Sequence, residues 1–119
     1  MDSNIGWLVV GGIALLYAWK FLGPGRAASS KTVRAKLEVG ATVIDVRTPG
    51  EFSSGAYPKA RNIPLDTLAS KLGKLGPKDG PLVVYCASGA RSAQAVRILK
   101  SAGFTDVTNA GGLHSMPRV

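Results

Sequence analysis

Residues 81–92, PLVVYCASGARS, join an almost wholly apolar run to a loop of small residues that ends in an arginine. Such a run is typical of a strand buried on both faces, as strands of a parallel sheet are. The following residues, Arg91 to Ala102, place Ala95 and Leu99 on one helical face, and Gly103 is the expected C-cap. The segment therefore predicts a strand, a tight loop and a helix, with Cys86 at the carboxyl end of the strand.

Shorter patterns on both sides of this segment extend the alternation of strands and helices. β-Branched runs predict strands over residues 41–46, 60–63 and 104–108. Helical spacing predicts a helix over 31–38, capped by Ser30, and a leucine-lined helix over 66–75. The fold class is therefore α/β, with a mainly parallel central sheet flanked by helices. In such sheets ligands gather beyond the carboxyl ends of the strands, where Asp45 and Cys86 both lie.

Residues 5–22, IGWLVVGGIALLYAWKFL, form an apolar run with Lys20 as its single charge. As a helix the run is about 27 Å long, close to the ~30 Å hydrocarbon core of a bilayer. We expect a transmembrane anchor within residues 1–23, lipid contact through 5–22, a linker over 24–30 and a globular domain over 31–119. A cleaved signal peptide is the alternative, although no basic side chain precedes the run.

Basic residues follow the apolar run and none precedes it, with Arg26, Lys31 and Arg34 among the first. The positive-inside rule then predicts a single-pass membrane protein with a cytoplasmic globular domain; export after signal cleavage is the alternative. Small residues on one face of the run suggest a homodimer through the transmembrane helix. They are Gly11, Ala14 and Ala18.

The composition limits the function classes. The chain has 119 residues, a formal net charge of +8 and one cysteine, so an internal disulfide is excluded. The basic residues are scattered and no nucleic-acid-binding motif is present, which favours an anionic membrane surface or a small anionic substrate over nucleic acid. The sequence has no Cys/His cluster, and it therefore predicts neither a metal site nor a cofactor.

The loop after Cys86 has the features that activate a thiol. Small residues let backbone N–H groups approach the sulfur, a helix N-terminus follows, and Arg91 supplies a permanent cation. These features favour the thiolate, whereas an isolated cysteine at a strand end is usually buried and inert. We therefore predict that Cys86 is a nucleophile in a cradle that suits a persulfide sulfur, a thiosulfonate or a phosphate. The cradle residues are Ala87, Ser88, Gly89, Ala90, Arg91 and Ser92.

Several motifs, in order from about Ser30 to Gly112, resemble those of the rhodanese domain family. Residues 43–47 with Glu51 resemble D-V-R-x-x-x-E, and Gly55 with residues 59–64 resembles G-H-I-P-G-A-x-N-I-P. Residues 86–92 resemble C-x-x-G-x-R-S, and Gly111-Gly112 is similar to the closing L-x-G-G. The chain departs from the family at Ala56-Tyr57, where histidine is usual, and after Gly112, where Met116 is the nearest large apolar residue instead of tryptophan.

The resemblance implies a rhodanese-type sulfurtransferase. The Cys86 thiolate would take a sulfane sulfur from a small anionic donor such as thiosulfate and pass it to a thiol or cyanide. Related phosphatases of the dual-specificity cell-cycle type separate cysteine and arginine by five residues. Cys86 and Arg91 are separated by four, which suits one extra sulfur atom better than a phosphate. The alternatives are a membrane-tethered sulfur carrier or regulatory binding module and, third, a phosphatase or arsenate reductase.

Two further residues receive roles from the resemblance. Asp45 would help to hold Arg91 or the cysteine loop, and Arg47 would guide an anionic substrate. The alternative for both residues is an ion pair that stabilises the fold. Glu51 is predicted to be structural and to pair with a basic group at the start of a helix.

Overall fold

The computed structural model describes residues 26–118, which form a four-stranded parallel sheet in the order β2-β1-β3-β4. The predicted α/β fold with a parallel sheet is confirmed. The predicted transmembrane segment, with its lipid contacts and its dimer face, lies outside the described residues. Within residues 26–118 no helix combines the length and the apolarity that crossing a membrane requires. The strands are β1 (Thr42–Asp45), β2 (Arg61–Asn62), β3 (Leu82–Cys86) and β4 (Val107–Gly112).

The helices are α1 (Ser30–Glu38), α2 (Pro49–Ser53), α3 (Leu65–Leu68) and α4 (Ala90–Ser101), with 3₁₀ turns at Leu72–Lys74 and Leu113–Ser115. Helices cover both faces of the sheet, and side chains of β3 alternate between two cores. Val84 and Cys86 join the core beneath α3 and α4, whereas Val83 and Tyr85 join the core beneath α1. All of β3 is buried, which explains its nearly continuous apolar sequence.

The single helix predicted over residues 66–75 is wrong, because this segment is α3 followed by the 3₁₀ turn. The Ser70 and Lys71 N–H groups bond to carbonyls three residues earlier, and the Ser70 hydroxyl also donates to the Thr67 carbonyl at 2.8 Å. Side-chain bonds of this kind compete with a helical ladder, and Gly73 lowers helix propensity further. The apolar pattern still has its effect, since every leucine of the segment packs against the core. These residues are Leu65, Leu68, Leu72 and Leu75.

Two boundaries also differ from the prediction. The last strand was expected over residues 104–108 but covers Val107–Gly112, because Leu82 pairs with Val107 and Cys86 with Gly112. Glycine has low strand propensity, so the sequence pattern does not predict that the strand continues through Gly111 and Gly112. The N-cap of α1 is Ser29 and not Ser30, since the Ser29 hydroxyl accepts a hydrogen bond from the Thr32 N–H.

A buried polar network lies on the α1 side of the sheet. Asp45 is fully buried, and its carboxylate accepts hydrogen bonds from the Arg47 backbone N–H and guanidinium at 2.7–3.0 Å. The Tyr85 hydroxyl donates to Asp45 Oδ2 at 2.7 Å and accepts from the Tyr57 N–H at 3.0 Å. A carboxylate without such partners would be costly to bury. The hydrogen bonds that stabilise it also connect β1, β3 and the loop after α2.

We expect Tyr85→Phe to lower the free energy of unfolding by about 1–3 kcal/mol, because it removes the hydroxyl that donates to the buried Asp45 carboxylate and accepts from the Tyr57 N–H. Urea unfolding followed by circular dichroism measures the change. Tyr57→Phe is the matched control, since it removes a half-buried hydroxyl that donates to the Pro117 carbonyl at 2.7 Å. An equal decrease in the free energy of unfolding in the two variants would contradict a specific stabilising role of the Asp45 network.

Candidate active site

The sulfur of Cys86 lies at the carboxyl end of β3, inside the loop that leads into α4. Gly89 is the N-cap of α4 and has φ of +105°, a left-handed conformation that favours glycine. This conformation turns the Gly89 N–H toward Sγ, which it reaches at 2.9 Å. The Cys86 residue is fully buried, so the loop encloses the sulfur that the sequence predicted to be the nucleophile.

Hydrogen bonding adjusts the acidity of this thiol. Burial alone raises the pKa of Cys86, but the Ser92 hydroxyl and the N–H groups of Ser92, Gly89 and Ser88 outweigh burial and lower it below the ordinary thiol value. A lower pKa enlarges the thiolate fraction near neutrality, and the thiolate is the reactive form. The predicted small-residue cradle is therefore present, with backbone donors directed at the sulfur.

The loop rests on two residues of β4, and the sequence analysis assigned neither of them this supporting role. A Cβ atom added at Gly112 would collide with the Ala87 carbonyl oxygen, so the backbones of β4 and the loop are in direct contact. Asn109, also on β4, accepts a hydrogen bond from the Ser92 hydroxyl at 2.7 Å. The glycine pair was noted only as a family motif, and nothing in the sequence singles out Asn109.

Arg91 and Glu51 form a two-pronged ion pair beside the loop. Arg91 Nη1 and Nη2 donate to Glu51 Oε1 and Oε2 at 2.7 and 3.0 Å. The Thr48 N–H and hydroxyl also donate to Oε1, which completes the capping box of α2. Hydrogen bonds from Arg91 and Thr48 hold the pKa of Glu51 at about 2. The predicted pairing of Glu51 with a basic group at a helix start is confirmed, because Arg91 lies in the first turn of α4.

Asp45 and Arg47 form a buried ion pair with each other, as the alternative interpretation of both residues predicts. Asp45 bonds to Arg47 and Tyr85, and the position beside Arg91 belongs to Glu51. Arg47 is 6% exposed, and its Nη2 also donates to the Gly55 carbonyl at 2.7 Å. The ion-pair interpretation fits both residues, since a buried and fully engaged guanidinium is poorly placed to guide a substrate.

A cleft of about 450 Å³ opens beside Arg91, between the starts of α2 and α3. Its walls are largely apolar, and Asp66 adds an exposed carboxylate. Arg91 belongs both to this cleft and to the sulfur loop, so the cleft offers space next to the sulfur-binding residues. The lining residues are Val46, Thr48, Pro49, Pro64, Leu65, Asp66, Thr67 and Arg91.

The family model for the rhodanese-like domain matches residues 29–115. This chain belongs to the rhodanese-like domain family. Thiosulfate sulfurtransferase PspE of Escherichia coli K12 is 40% identical over 79 residues, which cover 64% of this chain and 76% of the relative. A sulfurtransferase of Allochromatium vinosum is 39% identical over 70 residues, which cover 59% of this chain and 64% of that protein's length.

Solved structures agree with this assignment. The human single-domain sulfurtransferase TSTD1 superposes with a TM-score of 0.68 at 30% identity, covering 75% of this chain and 92% of that one. A structure of rhodanese with anions from E. coli superposes with a TM-score of 0.62 at 37% identity, covering 67% of this chain and 98% of that one. The prediction of a rhodanese-type enzyme is confirmed by the family and by the sulfurtransferase names of these relatives.

Packing accommodates the two departures from the family's usual motifs. The Tyr57 ring contacts Tyr85 edge to face, with 6.5 Å between the ring centroids, and its hydroxyl reaches the Pro117 carbonyl. Met116 is 7% exposed and fills the core beneath α1. This rhodanese-like domain therefore closes its C-terminal end with Tyr57 and Met116, in the absence of the usual histidine and tryptophan.

We expect Gly112→Ala to displace the sulfur loop, because the new methyl group has no space against the Ala87 carbonyl. Alkylation of Cys86 by iodoacetamide should slow, and the free energy of unfolding should fall by about 1–3 kcal/mol. Gly73→Ala is the control, since a Cβ there meets no atom within 4 Å. Unchanged alkylation in the Gly112 variant would show that the loop tolerates a methyl group on β4.

Glu51 predicts a pH dependence of stability. Its folded-state pKa of about 2 lies below the ordinary 4.5, so the stabilisation that it supplies is complete above about pH 4.5 and disappears as the pH falls toward 2. The difference in free energy of unfolding between wild type and Glu51→Gln should therefore narrow over that interval. Urea unfolding at a series of pH values measures it, and a difference that stays constant would refute the ion pair.

Proposed function

We propose that this chain moves a sulfane sulfur from a small anionic donor to a thiophilic acceptor through a persulfide on Cys86. The observation that carries the proposal is the enclosed Sγ, which accepts the Gly89 N–H at 2.9 Å within a loop of four residues between Cys86 and Arg91. A loop of this size suits one additional sulfur atom, and backbone donors stabilise negative charge on it.

The proposed reaction is a double displacement. The Cys86 thiolate attacks the sulfane sulfur of thiosulfate, an S–S bond forms at Sγ, and the S–S bond of the donor breaks so that sulfite leaves with the electron pair. A thiolate or cyanide then attacks the outer sulfur, and the persulfide bond breaks to restore the Cys86 thiolate. Because the lowered pKa of Cys86 supplies a thiolate fraction before the donor binds, the reaction needs no separate general base.

Arg91 is the residue that we assign to the donor's charge. Its guanidinium has five N–H donors, and the pair with Glu51 uses one on each terminal nitrogen. Arg91 also lines the cleft, so its remaining donors would bind the sulfonate oxygens of thiosulfate there. Ser88 and Gly89 would donate their N–H groups to the persulfide, with Ala87 and Ala90 completing the small loop.

We further infer that residues 5–22 anchor the globular domain, residues 31–119, to a membrane, with that domain on the cytoplasmic side. The apolar length of the run and the basic residues after it support this orientation. Arg26, Lys31 and Arg34 are exposed at the start of the described chain, where they would meet anionic headgroups. The pair of proposals is compatible with a sulfur acceptor that itself works at the membrane surface.

Intact-mass measurement of the full chain, extracted from the membrane fraction and incubated with thiosulfate, tests both proposals. We expect the mass of one sulfur atom to be added, lost again on cyanide treatment, and absent in Cys86→Ser. The same spectrum reports whether the N-terminal segment is retained. No gain in wild type, or an equal gain in Cys86→Ser, would refute the persulfide; a gain from a protein persulfide alone would instead favour a carrier.

A further inference from the structure

Asn109 connects the strand beneath the sulfur loop to Ser92. Both residues are buried, at 4% and 0% exposure. Asn109 Oδ1 lies 2.7 Å from Ser92 Oγ and also accepts the Gly111 N–H at 2.9 Å. Because a backbone N–H can only donate, the second bond identifies the atom that faces Ser92 as the amide oxygen.

The amide oxygen fixes the direction of the neighbouring hydrogen bonds. Ser92 has one hydroxyl hydrogen, and Asn109 Oδ1 is the nearest of its acceptors, ahead of the Gly89 carbonyl at 3.0 Å. When that hydrogen points to Asn109, the lone pairs of Ser92 Oγ face Cys86 Sγ at 3.5 Å. The hydrogen bonds then run from the Cys86 thiol to Ser92 and on to Asn109, which is the arrangement of the protonated form.

An anionic sulfur reverses the first of these bonds. Once the thiol proton has passed to solvent, Sγ has only lone pairs, and the Ser92 hydroxyl gains by turning from Asn109 to donate to it. Asn109 Oδ1 keeps the Gly111 N–H as its donor after the turn. No buried acceptor is therefore left without a partner, so the turn costs little.

We propose that Asn109 is a positioning residue, which holds the Ser92 hydroxyl away from Cys86 in the resting thiol and releases it to the anionic sulfur. In this way β4 sets the reactivity of a sulfur carried on β3. The proposal deepens the persulfide mechanism and rests on it for the identity of the reacting sulfur. Its test uses alkylation, which needs no sulfur donor.

The charged side chains packed near Cys86 lie on α4, on α2 and at the end of β1, and each is paired. Arg91 on α4 acts on the sulfur as a cation and is paired with Glu51 on α2. Asp45 is the last residue of β1, and it forms an ion pair with Arg47, two residues later. β4 contributes no titratable side chain between Val107 and Gly112. The route from Asn109 to the sulfur that the described hydrogen bonds provide runs through Ser92.

The experiment measures the rate of Cys86 alkylation by iodoacetamide against pH in the full chain, where Cys86 is the only thiol. Asn109→Ala frees the Ser92 hydroxyl to donate to the sulfur. At pH values below the midpoint of the wild-type alkylation profile, alkylation should therefore be about fivefold faster, which is the factor that the free energy of one hydrogen bond corresponds to. Asn109→Asp keeps the acceptor for Gly111 but adds a negative charge and a stronger hold on Ser92. In that variant alkylation should be slower by about the same factor.

Ser92→Ala distinguishes this role from a structural one. In the Ser92→Ala background, Asn109→Ala should not change the pH profile further. Thr108→Ala on the same strand is the control and should match wild type. Shifts in the same direction for both Asn109 variants, or an undiminished effect of Asn109→Ala without Ser92, would overturn the proposal.

Two results separate this inference from the proposed function. If Asn109→Ala does not fold, Asn109→Asp decides: the slowing of alkylation should be smaller in the Ser92→Ala background, and an undiminished slowing there would overturn the proposal. If thiosulfate adds no sulfur to wild type while the alkylation profiles shift as expected, the persulfide mechanism is refuted and the role of Asn109 stands.

Discussion

The contact between two backbones, β4 and the loop after β3, is the constraint on which the site depends. The pairing of β3 with β4 shifts register after Val84, so that Ala110 is an extra residue on β4. Bulges of this kind bend a strand and redirect its side chains. Here the shift places Asn109 against Ser92 and brings Gly112 beneath Ala87, where only a residue without a side chain fits.

The polar groups divide between the two faces of the sheet. Tyr85 and Asp45 lie in the network on the α1 side, while Cys86, the next residue of β3, faces the core beneath α4. The buried charge of Asp45 is therefore neutralised by Arg47 on its own side, and the cation near the sulfur is Arg91. Because Asp45 on β1 pairs with Tyr85 on β3, the alternation of side chains along β3 keeps this structural carboxylate on the opposite face from the reactive thiolate, which it would otherwise destabilise.

Local patterns predicted much of this arrangement. The apolar run of β3, the small loop and the periodicity of α4 place Cys86 correctly, and Glu51 was expected beside a helix start. The leucine segment shows where such reasoning fails, because periodicity identified the buried face while side-chain bonding at Ser70 decided the backbone. Asn109 and the role of Asp45 depend on pairing between segments distant in sequence, and no local pattern reports which partner a buried polar group will find.

The strand that supports the sulfur loop is also the edge of the sheet, where its unpaired backbone groups would invite association with another strand. The segment before α1 occupies part of that edge, since the Ala28 N–H bonds to the Asn109 carbonyl at 2.7 Å. Asn109 therefore binds the start of the described chain with its backbone and Ser92 with its side chain. A single residue holds the edge of the sheet and the hydroxyl beside the sulfur, because the fold brings the chain's first described segment and its reactive loop to one strand.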